Sequence, residues 1–290
     1  MPLHRRQFLT LAACAALVPA RAARAIASQP DTLFHWQGGG PFFGGFSAIE
    51  LSSDRRRLLT ISDRGFAVRA RMIRDADGRL TDLEKTGHFA LAGADGAPLH
   101  GHRGDSEGMD QRPDGTLFVS FEGRARVDVY DDERGPPRAL PRPESWRRLP
   151  GNGAFEALAV DTGGAVYTLP ETPDGDAFPL WCLTDEWRVA ARIPMRDGFV
   201  PVGADFGPDG NLYLLERKFR LAFFASRISR LRPEALGDPE TLVETGYGAM
   251  DNHEGISITT EAAGGLWATT ISDDNQNRLQ RTEIAEFRLS

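Results

Sequence analysis

Three segments of the sequence place a glutamate directly before a short apolar run. The segments are GDSEGMDQ at 104–111, GAFEALAV at 153–160 and DNHEGISI at 251–258, and their glutamates are Glu107, Glu156 and Glu254. Carboxylates that meet at one point suit a hard cation such as calcium better than a softer metal. A cation held there would polarise a substrate oxygen or activate water, which is the chemistry of metal-assisted hydrolysis.

Two further acids end apolar runs of their own. Asp63 closes the run LLTISD, and Asp273 closes the similar run ATTISD. If the ends of these runs lie beside the glutamates, all five carboxylates share one place. We therefore predict a calcium site, or a site for another divalent cation, whose ligands are Asp63, Glu107, Glu156, Glu254 and Asp273.

Histidine and basic residues accompany the acids. His253 stands directly before Glu254, and the pair is a candidate for catalysis because imidazole and carboxylate groups can move a proton. The alternative interpretation of His253 is a surface loop histidine. Arg64, Arg217 and Lys218 are candidates for binding the substrate, since their charges attract an anionic group.

The glutamate segments belong to a longer repeat. Five copies of an apolar run, a turn and a second apolar run begin near residues 47, 107, 156, 202 and 254, and each has the pattern of a β-hairpin. Further strand-like runs follow the hairpins, so that one unit has the size of a propeller blade. The sequence therefore predicts an all-β fold, a β-propeller of five blades, with six blades as the alternative.

Ring closure needs one more strand. Residues 32–36, TLFHW, have no hairpin of their own. We predict that this segment is the outermost strand of the last blade, beside the C-terminal strand, and acts as a latch that closes the ring.

Blade geometry brings the acids together. In an antiparallel hairpin the start of the first strand and the end of the second lie at the same end, and the first strand of a blade lines the channel. The acids expected at this mouth are Asp63, Glu107, Glu122, Glu156, Glu171, Glu216, Glu254 and Asp273. They either converge on a cation or staple the ring by accepting hydrogen bonds from loop amides and pairing with Arg64, Arg124 and Arg217.

The N-terminus has the order of an export signal. Arg5 and Arg6 precede an apolar run and small residues spaced as A-x-A, which predicts a twin-arginine-type signal peptide over residues 1–27. Residues 28–290 then form a single domain, exported by the twin-arginine translocon to the periplasm or beyond. The alternatives are an N-terminal helix of the fold and a lipoprotein box that would acylate Cys14.

Composition and charge limit the classes of partner that we expect for this chain. The chain is 41% hydrophobic, enough for a large core, and no mature segment is apolar enough to span a membrane. Removing residues 1–25 takes away four arginines and no acid, which changes the formal charge from −7 to −11. Nucleic acid and anionic membranes are therefore not expected as partners. Only Cys182 remains, so we expect no intrachain disulfide, and we expect a monomer.

Several motifs together resemble a known family. In order they are GGFSAI, SDRG, DSEGM, FEALAV, DFGPDGNLYLLER, RISRL and NHEGISI. Their order and spacing resemble the bacterial phytase-like family, described as having the esterase-like activity of phytase, from residue 44 to the C-terminus. The resemblance implies an exported propeller that hydrolyses esters or phosphoesters. The β-propeller phytases are similar in fold, and they bind calcium at an acidic channel mouth.

These observations favour a metal-assisted hydrolase whose substrate is a small-molecule phosphoester or carboxylic ester. One alternative is a lactone hydrolase, because gluconolactonase-type propellers also place Glu-Gly at an inner strand start. The other is a non-catalytic propeller that binds a ligand at the mouth of the ring.

The exported protein is expected to lack its first 25 to 27 residues, since this segment has the pattern of a signal and not of a blade. Mass spectrometry of the periplasmic protein checks this expectation. An intact N-terminus there would contradict it, and an acylated Cys14 would replace it with the lipoprotein alternative.

Overall fold

The protein is a five-bladed β-propeller. The computed structural model describes residues 28–149, 151, 153–261 and 264–289; the predicted signal peptide, residues 1–27, lies outside the described residues. Within them, strands β1 to β20 form five four-stranded antiparallel sheets. The predictions of an all-β fold and of five blades are confirmed, and the six-bladed alternative is wrong.

The blades follow one another along the chain, except that the first strand, β1 (Thr32–His35), belongs to the last blade. Blade 1 contains β2 (Phe46–Leu51), β3 (Arg57–Ser62), β4 (Phe66–Arg74) and β5 (Leu80–Ala90). Blade 2 contains β6 (Ser106–Gln111), β7 (Leu117–Phe121), β8 (Arg126–Tyr130) and β9 (Arg138–Ala139). Blade 3 contains β10 (Ala157–Val160), β11 (Val166–Leu169), β12 (Ala177–Leu183) and β13 (Trp187–Pro194). Blade 4 contains β14 (Val200–Phe206), β15 (Leu212–Arg220), β16 (Phe223–Leu231) and β17 (Glu240–Glu244). Blade 5 contains β18 (His253–Thr260), β19 (Leu266–Ser272), β20 (Glu283–Leu289) and β1.

Helical structure in the described residues is limited to three short 3-10 helices in loops. They are Gly101–Arg103, Glu144–Arg148 and Pro233–Ala235. None of these, nor any other described segment, forms a helix with the length and apolar character needed to cross a bilayer.

The inner hairpin of each blade turns at a residue with positive φ. In four blades this residue is a glycine, which adopts the conformation without steric strain: Gly115, Gly164, Gly210 and Gly264. In blade 1 it is Arg55, with φ of 56°. The Arg55 guanidinium is buried and pairs with Glu286 of blade 5 at 2.7 Å, so this turn also ties the first blade to the last.

The hydrophobic core lies between the blades. Leu59 and Ile61 of blade 1 pack with Met109 and Val119 of blade 2, and Val202 of blade 4 packs with Ile256 and Ala268 of blade 5. Burial of these apolar faces is the main favourable contribution to folding, and it makes each blade dependent on its neighbours.

Polar side chains also join neighbouring inner strands inside the channel. Asp110 accepts a hydrogen bond from the Val160 amide at 2.7 Å, Asp205 from Ile258 at 2.5 Å and Ser257 from Leu51 at 3.1 Å. Each bond runs from one blade to the next, and the three acceptors occupy equivalent positions in their inner strands. In these three places the ring is thus stapled by side chains other than the predicted mouth acids, and their partners are amides of strands and not of loops.

The latch forms as predicted. Strand β1 pairs antiparallel with β20, with Thr32 opposite Glu286 and His35 opposite Glu283. The chain then buries Trp36, whose ring stacks on Phe46 of blade 1 with centroids 5.4 Å apart. One aromatic side chain thus fixes the latch against the start of the ring.

Replacing Trp36 by Ala should lower the free energy of unfolding by about 3–5 kcal/mol, because the change leaves a large cavity between the latch and blade 1. Leu33→Ala is the matched control in the same strand; its side chain is 38% exposed, so its loss should cost under about 1 kcal/mol. Urea titration of both variants measures the difference. Equal stability of the two would mean that Trp36 does not hold the latch.

Candidate functional site

One end of the channel opens into a cavity of about 690 Å3 whose lining is mainly acidic. Eight carboxylates line it: Asp63, Asp105, Glu107, Glu122, Glu156, Glu171, Glu254 and Asp273. Two basic side chains, Arg217 and Lys218, line it as well. We call this cavity the acidic mouth. Seven of its eight acids are among those expected from the repeat.

A β-bulge places the glutamates at the strand starts. The register of β6 with β7 shifts between Ser106 and Met109, and that of β18 with β19 shifts between His253 and Gly255. Glu107 and Glu254 lie in these bulges, where the extra residue leaves the regular alternation of the strand. Both side chains therefore line the acidic mouth.

Steric crowding explains why a glycine follows each of these two glutamates. A Cβ on Gly108 would lie 2.7 Å from Leu158 Cβ in the next blade, and a Cβ on Gly255 would lie 2.7 Å from Ala48 Cα. Atoms that are not bonded do not approach so closely, so only glycine lets these inner strands pack together. The Glu-Gly motif thus combines a ligand-type side chain with a close contact between blades.

Three of the carboxylates are close enough to share a cation. Asp105, Glu107 and Glu122 offer oxygens that all lie within 4.8 Å of one another. Carboxylate oxygens on buried or half-buried residues are hard ligands of the kind that calcium takes, so the donor set fits this ion. Glu122 also accepts a hydrogen bond from the Gly153 amide of blade 3, which holds it in place.

Asp105 was not among the predicted ligands. It lies two residues before Glu107, as Asn252 lies two residues before Glu254, and both residues line the acidic mouth. Superposing GDSEG on DNHEG would have identified this position from the sequence.

Burial and mutual repulsion raise the pKa of several acids of the mouth. Burial, followed by the charges of Glu156 and Glu254, raises the pKa of Glu107 well above its ordinary value. Burial and the charge of Glu254 raise the pKa of Asp273 to about 8. Burial and the charge of Glu122 raise the pKa of Asp105 to about 6. The acidic mouth is thus a place where a bound cation would replace protons.

Arg217 pairs with acids of two other blades. It donates to Glu171 of blade 3 at 2.8 Å, to Asn252 of blade 5 at 2.6 Å and to Glu254 of blade 5. Burial lowers the pKa of Arg217, but the charges of Glu254 and Glu171 raise it by a larger amount. The guanidinium therefore stays charged. For Glu254 the predicted pairing with Arg217 is therefore present.

His253 does not reach the acidic mouth. Its side chain is fully buried, with Nδ1 2.7 Å from Thr270 Oγ1 and Nε2 3.6 Å from Glu283 Oε2. The bulge separates it from Glu254, so that the two neighbours face different surroundings. A general base must approach the substrate, and the buried ring of His253 does not fit that role.

Two other expected residues also lie outside the cavity lining. Glu216 is buried and accepts hydrogen bonds from Arg196, at 3.1 Å, and from Ser229. Arg64 donates to the backbone oxygen of Phe43 at 2.7 Å. Both side chains have internal partners, whereas Asp63, Glu156, Asp273, Arg217 and Lys218 line the acidic mouth as expected.

The fold and its mouth define a β-propeller with a carboxylate-rich site on its axis. The chain belongs to the phytase-like family, described as having the esterase-like activity of phytase, whose model matches residues 41–276. The resemblance seen in the motifs is thereby confirmed. No curated protein sequence matches the chain significantly.

Several solved structures are similar to the chain. They include an endo-arabinase from Bacteroides thetaiotaomicron (13% identity, TM-score 0.50, 85% of this chain and 94% of that one). Virginiamycin B lyase from Staphylococcus aureus has 15% identity and a TM-score of 0.44, over 88% of this chain and 73% of that one. The PQQ-bound aldose sugar dehydrogenase from Streptomyces coelicolor has 15% identity and a TM-score of 0.40, over 87% of this chain and 82% of that one. At such identities the likeness concerns the fold alone.

Without a cation, the protein should become less stable as the pH rises. The ordinary pKa of Asp273 is 3.8 and its folded value is about 8, so between these values the unfolded chain loses its proton first. The stabilisation present below pH 4 is therefore lost progressively up to about pH 8. Asp273→Asn should reduce this slope by about 1 kcal/mol per pH unit.

Urea titrations at pH 5 and pH 8 with a chelator measure the slope. Asp174→Asn, at an exposed position of blade 3, is the control and should keep the wild-type slope. An unchanged slope in Asp273→Asn would contradict the assignment of a raised pKa to Asp273.

Proposed function

We propose that the protein is an exported, calcium-assisted hydrolase of phosphoesters or carboxylic esters. The observation that carries the proposal is the group of Asp105, Glu107 and Glu122, whose oxygens lie within 4.8 Å in a cavity lined by eight acids. Family membership supports ester hydrolysis, and the pattern of residues 1–27 supports export. The periplasm or the extracellular space is then the place of action.

The cation would be held by Asp105, Glu107 and Glu122. When bound, it would supply Lewis-acid polarisation of the ester and compensate the repulsion among the acids. Asp63, Glu156, Glu254 and Asp273 line the same cavity and would surround it with negative charge. Of the five ligands expected from the sequence, only Glu107 belongs to this close group; Asp63, Glu156, Glu254 and Asp273 are lining residues of the cavity, and Asp105 and Glu122 are the added ligands.

The residues of the chain provide orientation and proton transfer. In hydrolysis the oxygen of water bonds to the phosphorus or carbonyl carbon, the ester bond breaks, and the leaving oxygen takes up a proton. Glu254 is oriented by Asn252 and Arg217, and it accepts the proton of water and passes it to the leaving oxygen. Lys218 lines the same cavity and attracts the anionic part of the substrate.

A non-catalytic binding propeller is the second candidate. The observation in its favour is that Glu254 is already engaged by Arg217 and Asn252, while His253 is buried away from the cavity. In that case the acidic mouth would hold a cation and a ligand without turning the ligand over.

Calcium should raise the melting temperature of the wild type. At a concentration about 100 times the dissociation constant, binding to the folded state alone adds about 2.7 kcal/mol, or roughly 5–10 °C for a chain of this size. Glu107→Gln should remove this increase and cost the calcium-free protein little stability, since glutamine keeps the size of the side chain without a carboxylate that must be ionised to bind calcium. Glu144→Gln, outside the cavity lining, is the control and should respond like the wild type.

Calorimetric scans with calcium and with chelator measure both effects. A wild type that calcium does not stabilise would overturn the metal site. A panel of phosphate monoesters, aryl esters and lactones then tests hydrolysis, where Glu107→Gln should lose about 100-fold in kcat/KM. No turnover across the panel by a calcium-responsive wild type would overturn the hydrolase and favour the binding propeller.

A further inference from the structure

The acidic mouth is asymmetric around the ring. Its eight carboxylates come from blades 1, 2, 3 and 5, and none comes from blade 4. In β14 the bulge position that holds a glutamate in β6 and β18 is Val202, a buried core residue. Blade 4 and the loop before it contribute instead Gly198, Val200, Arg217, Lys218, Phe219 and Phe224. One side of the cavity is thus basic and apolar.

Part of this side is a hairpin that extends beyond its sheet. The pairing of β14 with β15 begins at Val200 and Arg217, whereas β15 and β16 stay paired as far as Arg220 and Phe223. We call residues 217–224 the blade 4 hairpin. Its turn is formed by Leu221 and Ala222 with φ of 49° and 68°, values that strain residues other than glycine.

The blade 4 hairpin carries large apolar side chains in water. Phe219 is 62% exposed, Phe223 57% and Leu221 80%. The rings of Phe219 and Phe224 lie 5.0 Å apart and form a pair at the edge of the acidic mouth. Aromatic side chains of this size bind best to a flat or bulky apolar group that removes them from water.

Phe219 and Phe224 are also the wall of a second cavity. This cavity, of about 600 Å3, lies beside the acidic mouth and includes Ala222, Phe223, Met250 and Leu279 in its lining. Because Phe219 and Phe224 line both cavities, the two cavities meet at this aromatic pair.

The two basic residues at the base of the hairpin differ in their hydrogen-bond partners. Arg217 is engaged by Glu171, Glu254 and Asn252, so it fixes the base of the hairpin to blades 3 and 5. Lys218 donates one hydrogen bond, to the backbone oxygen of Asp197. An ammonium group has three donors, and two remain for a ligand in the cavity.

We infer that the blade 4 hairpin recognises the substrate and that the substrate is an ester with an anionic head and an aromatic or similarly bulky apolar group. Lys218 binds the anionic head, and Phe219 and Phe224 pack against the apolar group. The inference rests on the proposed function in one respect, namely that the ligand is an ester. Recognition by the hairpin is a binding property and does not require turnover.

Two phosphonates that cannot be hydrolysed test the inference by calorimetric titration in the presence of calcium. The wild type should bind 1-naphthylphosphonate about tenfold more tightly than methylphosphonate, because only the former packs on the aromatic pair. Phe219→Ser should bring the two affinities to within about twofold of each other without weakening methylphosphonate. Lys218→Gln should weaken both ligands by a similar factor.

Leu221→Ser is the matched control, since Leu221 is exposed in the same hairpin and lines neither cavity. It should leave both affinities unchanged. Equal binding of the two phosphonates by the wild type would overturn the inference. So would sedimentation of the wild type, but not of Leu221→Ser, with phosphatidylcholine vesicles, because that result would assign the hairpin to a lipid surface. Failure of the ester panel would leave the phosphonate result intact, so the two proposals fail separately.

Discussion

The close approach of the inner strands is the constraint on which the rest of the structure depends. Five strands surround a narrow channel, and in three of them glycine (Gly108, Gly203 and Gly255) is needed because a Cβ would meet the neighbouring blade. The bulge residues Glu107 and Glu254 of two such strands then line the cavity on the axis. Crowding of Glu107, Glu156 and Glu254 is thus a geometric result of closing a small ring, and the repulsion that accompanies it is a cost that the site must offset.

The molecule offsets this repulsion in three ways. Burial and neighbouring charges raise the pKa of Glu107 and Asp273, which favours their neutral forms. Arg217 neutralises Glu171 and Glu254 from the fourth blade. Glu122 is tied to the Gly153 amide of the next blade. A cation between Asp105, Glu107 and Glu122 would be the fourth way, and it would act on carboxylates that do not pair with Arg217.

The sequence predicted those features that repeat along the chain. Five copies of one hairpin fixed the blade count, and the unpaired TLFHW segment indicated the latch because every other strand had a partner. The errors arose where one residue departs from the regular pattern. A bulge after His253 turned that side chain away from the cavity, since a shift of one residue changes the face of a strand. The partner of Glu216 is Arg196, twenty residues earlier, and no repeat relates the two.

The latch affects the stage of folding at which the acidic mouth forms. Each inner hairpin pairs residues that are near one another in the sequence. By contrast, the pairing of β1 with β20 brings together Thr32 and Glu286, which are far apart in the sequence. The entropy lost on closing so long a loop makes this pairing a late event in folding, after the local hairpins. The carboxylates of blades 1 and 5 meet across the join that the latch completes. The acidic mouth therefore depends on closure of the whole ring. A chain that lacked the strand at either end of the ring would carry the acids but would not bring them together.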